Sequence, residues 1–326
     1  MKKISVVLIG LVFVSICHCA FGQEPRKIEF WMMPGKSATY DIRAETTTEY
    51  VSYRSAGTEK RTIGFKSDMR IVLRSVKATS DGVIHLEITY PDFFIETAVT
   101  EGGSTSKIVT DSNGARSYVD GKLQEQTTWE EQEKQGRPNL KKLFSSVIEF
   151  ALHSTGKVLD VTTPAELATR FTWVDIKNFF QNQVIFPEVA IAPGAEWNQT
   201  SDREVPQGPG PLGGSIMLDE TAYKYQGNEM AMGRECARIS VVVASRLKEE
   251  IQNLNEFKQT NKGWSLIALE NGQTVISEMN LFQEMKGTPR GVRTEVKTTG
   301  TVTTRLVQSP TPAAAPSEKK PPVEAR

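Results

Sequence analysis

GWSLIALENGQTVISEMNLF, residues 263–282, sets two apolar-rich runs on either side of Asn271-Gly272. Asn-Gly between such runs is a strong local signal for a β-hairpin, because both residues accept the positive φ of a tight turn. The same grammar repeats outward in both directions. TEVKTTGTVTTRLV (294–307) is a Thr/Val strand. SIMLDETAYKYQ (215–226) and ARISVVVAS (237–245) bracket Gly227-Asn228, which the sequence marks as a turn. The run Ile239 to Ala244 is nearly all apolar, as a strand covered on both faces would be. RLKEEIQNLNEF (246–257) stays ambiguous: Leu247, Ile251 and Leu254 fit a helix, yet the segment lies between strands.

The first half reads the same way. In TYDIRAETTTEYVSY (39–53), Tyr40, Ile42, Ala44, Thr46, Thr48 and Tyr50 share one side, the period of a half-buried strand. MRIVLRSVKA (69–78) and VIHLEITY (83–90) flank the turn Ser80-Asp81-Gly82, and Asn113-Gly114 and Asp120-Gly121 mark two more hairpins. FALHSTGKVLDV (150–161) bends at Ser154-Thr155-Gly156. Only the middle departs. Thr163-Pro164-Ala165-Glu166 combines an N-cap threonine, a proline at the first helical position and a glutamate three after the cap. Leu167, Phe171 and Val174 follow at helical spacing, and a short helix is also expected over 139–146. QGPGPLGG (207–214) is a loop by composition.

The expected fold is therefore α+β with β dominant: a curved antiparallel sheet, with a small helical insert in the middle of the chain. Its parts are a segment 1–22, a β-rich half 23–161, a helical segment 162–185, a second β-rich half 186–308 and a disordered proline-rich tail 309–326. PGKSATYDIRAET (34–46) and PGAEWNQTSDRE (193–204) each put Pro-Gly shortly before an aromatic, a faint echo of a duplicated β unit.

Residues 1–22 read as an export signal. Lys2 and Lys3 precede an apolar run from Ile4 to Ile16, and Ala20-Phe21-Gly22 supplies a small-x-small cleavage site. The run is shorter than the roughly 20 apolar residues of a membrane helix, and no later stretch qualifies, so no span is expected in the mature chain. Cleavage after Gly22 discards Cys17, His18 and Cys19 and leaves a secreted or periplasmic protein. A lipid-anchored form is the rival, but bulky Ile16 and His18 precede Cys17 and Cys19 where attachment needs a small residue. An uncleaved anchor also stays open.

Several features taken together resemble an uncharacterised family of secreted bacterial β-rich proteins, a domain of unknown function. They are PGKSATY, the LHSTGKVLDV hairpin (152–161), FPEVAIAPGAEW (186–197) and KYQGNEMAMGRECARISV (224–241). The resemblance implies a fold style and an envelope location; it implies no activity and no site residue.

The chemistry-bearing residues are sparse. The whole chain carries 39 basic and 39 acidic residues, and no basic block interleaves with aromatics, so nucleic acid is not an expected partner. After cleavage one cysteine remains, Cys236, which reads as a buried small hydrophobe, and two histidines, His85 and His153, which read as solvated. Asp111-Ser112-Asn113-Gly114 has the opening of a calcium loop, but Lys122 stands where a glutamate is required. No G-x-S-x-G elbow and no phosphate-binding loop occurs. The sequence nominates no catalytic residue, no cofactor and no metal, and the chain reads as non-enzymatic.

Two function classes remain. In the first, a cavity between sheet and helices takes an apolar small molecule such as a lipid, lined by Phe179, Phe180 and Trp197. In the second, the chain is a structural or protein-interaction component of the envelope that meets a partner through sheet edges or its tail. The bland reading of the same aromatics is that they fill the core.

Overall fold

In the computed structural model of the protein, the described residues are 24–137, 140–162, 184–205, 212 and 214–308. The segment 1–22 read as an export signal, the helix expected from Thr163, the candidate residues Phe179 and Phe180, and the proline-rich tail lie outside them. So does most of the 207–214 loop.

Among the described residues fourteen strands form one antiparallel sheet. The first half supplies β1 (Ser37–Arg54), β2 (Gly57–Ala78), β3 (Val83–Glu101), β4 (Ser104–Asp111), β5 (Gly114–Val119) and β6 (Lys122–Thr128) as a meander running outward from β1. β7 (Ile148–His153) pairs with the start of β3 and with β8 (Val158–Thr162). The second half supplies β9 (Glu196–Glu204), β10 (Ile216–Ala231), β11 (Arg234–Leu247), β12 (Leu254–Ala268), β13 (Thr274–Gly287) and β14 (Arg293–Gln308). This meander runs inward, and β14 pairs with β1 to make the two halves one sheet. The sheet is open, with β6 and β9 at its ends. Two short helices interrupt it among the described residues, α1 (Trp129–Lys134) and α2 (Leu140–Phe144).

The expectation of a β-dominant fold with small helices holds, and three local readings change. The turn between β10 and β11 is Met232-Gly233, both at positive φ, because Ala231 pairs with Arg234. Gly227 lies within β10 instead, where the register shifts and the strand absorbs an extra residue. The run from Ile239 is covered on one face alone: Ile239, Val241 and Val243 are buried, whereas Val242 is 38% exposed. The ambiguous 246–257 segment is no helix. β11 ends at Leu247, the chain turns at Asn253 with positive φ, and β12 begins at Leu254.

Most burial falls on one face, here called the inner face; a smaller buried cluster of Cys236, Leu266, Ala268 and Val275 alternates with it at one end of β11–β13. In β1 the inner face takes Ala38, Tyr40 and Ile42, while Asp41 is half-buried and Arg43 is exposed on the opposite face. Two cores form on it. One gathers Tyr40, Ile42, Ile71, Leu73, Ile84, Leu86, Phe93 and Phe150 under the first half. The other gathers Tyr223, Tyr225, Ile239, Val241, Ile267 and Met279 under the second.

An extended strap, residues 24–36, ties these cores together. Ile28 enters the second core, and Phe30 and Met32 enter the first. Its backbone is held along its length: Arg26 exchanges two hydrogen bonds with Ile191, Phe30 N–H donates to Ser154 O at 2.6 Å, and Trp31 N–H donates to Asn271 O at 2.8 Å. The strap passes so close to the β12–β13 hairpin that a Cβ on Gly272 would sit 2.3 Å from Glu29 O. Gly272 also has φ +64, so two separate constraints select glycine at the hairpin tip.

Candidate functional site

The strands are longer than the cores beneath them. In β1 full burial stops at Ile42, yet the strand and its in–out alternation continue to Arg54. Beyond the cores, the register defines rows of inner-face residues that run across the sheet. One row starts with Val99 and Ile63 and passes through Thr48 and Thr298, whose hydroxyls lie 3.0 Å apart. It continues through Gln283, Gln259 and Ser245 and ends at Asp219 and Ser201. The row is apolar at the first-half end, hydroxylated at the centre and polar at the second-half end.

At the apolar end, Phe65, Ile95, Thr97, Thr110 and Leu140 line an open cleft of about 450 Å³. The first four stand on the inner face of β2, β3 and β4, and Leu140 comes from α2. Aromatic packing sets α2 in place: Phe144 meets Phe93 at 4.4 Å and Tyr90 at 5.6 Å between ring centroids. α1 is anchored beside it by Trp129, which packs on Phe93, and by a reciprocal cap in which Thr128 and Glu131 each bond the other's backbone N–H. Those bonds hold the Glu131 carboxyl below the usual carboxylate range, the backbone bond at Thr128 being the larger cause. Further along the same face Ile63 and Val99 are half-buried, and Ile108 is 55% exposed. The opposite face of these strands is charged and cross-linked by ion pairs, Lys66 with Glu45 at 3.0 Å and Lys107 with Glu96 at 3.3 Å.

At the polar end, β9–β14 line a smaller, partly open cavity of about 220 Å³. Arg203 and Asp219 form a forked pair there: Nε donates to Oδ2 at 2.7 Å and Nη2 to Oδ1 at 3.3 Å. Both are well covered, their side chains 17% and 12% exposed. Ser245 and Asn261 share the cavity and are buried. The Ser245 hydroxyl has no hydrogen-bond partner among the described residues.

Trp197, the described member of the nominated trio, takes the bland role. It stacks on Tyr223 at 5.2 Å, and its Nε1 donates to Ile185 O at 2.7 Å at the margin of the second core. It lines neither cavity. Tyr223 is so enclosed that burial pushes its phenol up to about 12. The other reactive types are scattered. His85 is exposed on β3, His153 Nδ1 lies 2.9 Å from Thr155 Oγ1, and Cys236 is buried with its thiol pushed up by burial. Among the described residues no three potential metal ligands cluster, and no helix is long and apolar enough to cross a membrane.

The residues of both cavities escaped the sequence reading. Phe65 and Ile95 fall outside the strand segments recognised there, because β2 and β3 extend well past them. Ser245 closes an apolar run, and Asn261 stands among lysines and threonines. Only cross-strand register brings Ser245, Asn261 and Asp219 to one place.

No family model and no curated protein matches the chain. Among solved structures, one of lipovitellin, determined to describe its lipid–protein interactions, is similar with 13% identity and a TM-score of 0.44. The match covers 87% of this chain and 26% of that chain, so this protein spans about a quarter of lipovitellin's length. The translocator domain of the autotransporter NalP from Neisseria meningitidis is more distant, with 7% identity and a TM-score of 0.19 over 81% of this chain and 88% of that one.

Proposed function

We propose that this protein is an exported, non-catalytic binding protein whose first-half inner face holds the acyl chain of a lipid. One observation carries the reading: the apolar alternation of β2 and β3 outlasts the core beneath it. Ile63 and Val99 keep inward positions outside the core, with Phe65 packed at its margin, while Lys66, Glu45 and Glu96 keep the reverse face charged. A soluble sheet with one solvated face needs polar side chains there, and an apolar face left open calls for an apolar occupant. The cleft volume of about 450 Å³ falls within the roughly 300–1,000 Å³ of small-ligand pockets, and its wall is mainly apolar with two threonines. The signal-like residues 1–22 support export to the envelope, where lipids are at hand.

Intact mass under native and denaturing conditions tests this on protein made in a secreting host. A lipid-sized mass that vanishes on denaturation is expected, and Phe65→Asp, which places a charge on the cleft floor, is expected to abolish it. Identical native and denatured masses for the unmodified chain would refute lipid carriage. The second reading, an envelope interaction protein, would then lead. It is favoured by β9, whose outer edge pairs with no described strand and can accept a strand from a partner.

A further inference from the structure

We infer that the inner face of the second half carries a separate site for a neutral polyhydroxylated ring, a hexose or cyclitol, either free or as the headgroup of a glycolipid. The cavity along β9–β14 is built rather than incidental. Asp219, Ser245 and Asn261 are 9%, 8% and 8% exposed, and all three stand on its wall. Native interiors rarely leave such groups without partners, since an unmet buried donor or acceptor costs as much as a lost hydrogen bond. Here the Ser245 hydroxyl has none among the described residues. The Ser245 side chain lines the cavity, and a turn about its χ1 presents the hydroxyl to a ligand there.

The chemistry of the lining selects the ligand. Arg203 and Asp219 satisfy each other in a forked pair, so the cavity offers no net charge to an anion or a cation. What remains are hydroxyls and amides, Ser245, Asn261 and Gln259, groups that both donate and accept. A hydroxyl on a ligand also does both. Val243 and Leu281 supply an apolar patch in the same wall, matching the C–H face of a sugar ring. The volume of about 220 Å³, less than half that of the apolar cleft, suits one ring. This site shares no lining residue with the apolar cleft and stands or falls separately from it.

Amide chemical shifts of the full chain, titrated with D-glucose, myo-inositol and octyl β-D-glucoside below its micelle concentration, test the inference. Amides of Thr221, Ser245 and Asn261 are expected to move at millimolar ligand. Asn261→Leu and Ser245→Val are each expected to weaken the binding about tenfold without changing the melting profile, and if one variant fails to fold the other still decides. Response to the free sugars identifies a free ligand. Response to octyl glucoside alone, weakened by the same variants, identifies a glycolipid headgroup. Shifts confined to Phe65, Ile95 and Leu140 would overturn this site while supporting the apolar cleft. No shift with any of the three probes, or binding that both variants leave intact, would also overturn it.

Discussion

The two halves of the sheet present the same face at the same depth and fill it with opposite chemistry. Val99 and Ile63 occupy the row that runs across the sheet to Ser245, Asp219 and Ser201. Side chains nearer the strap are apolar in both halves, because both must enclose a core. Past the core that demand ends, and each half follows its own surroundings. The first carries hydrocarbon to an open cleft flanked by two small helices. The second buries a forked ion pair and the Ser245 hydroxyl, which has no partner among the described residues. Position on a sheet therefore sets direction, in or out, and leaves the polarity of the inward side to whatever covers it.

The comparison breaks most readily at the strap. Phe30→Ala removes a ring from the first core and is expected to cost about 3–5 kcal/mol, and Ile28→Ala about 2–5 kcal/mol in the second. Because β1 and β14 join the halves, calorimetry is expected to show one lowered transition in each variant. A melt that splits into two would mean that the halves fold as separate units. Next in size is Asp219→Ala, which strands the Arg203 guanidinium in a covered site at a cost of about 3 kcal/mol, measurable by urea unfolding. Ile63→Ala, in the same row, should cost about 1 kcal/mol, since its side chain is only half-buried. Equal losses would show that the two ends of the row are not differently built. The smallest effect is expected at Thr128→Ala, which removes one arm of the reciprocal cap and should cost about 1 kcal/mol with α1 fraying first in hydrogen exchange.

Much of this fold was legible in the chain. The alternation of Tyr40, Ile42 and Ala44 and the turn at Asn271-Gly272 placed strands correctly, because pleat and turn chemistry act over a few residues. Where the reading slipped, a neighbouring strand had intervened. Gly227 looked like a turn, but pairing of Ala231 with Arg234 moved the reversal to Met232-Gly233 and left Gly227 as a bulge. Val242 looked covered because its neighbours are apolar, yet it faces away from the buried Val241 and Val243 and is 38% exposed. Trp197, nominated for a cavity with Phe179 and Phe180, stacks on Tyr223, and its two companions lie outside the described residues.

Local side-chain period and turn preference made this a β-dominant chain with an export-like start. They act within a few residues and need no partner. The union of β1 with β14, the threading of residues 24–36 between two cores and the meeting of Asp219 with Ser245 and Asn261 arise only once distant strands choose a register. That choice is made by the whole buried face at once, since a slip of one residue would turn every inward side chain to water.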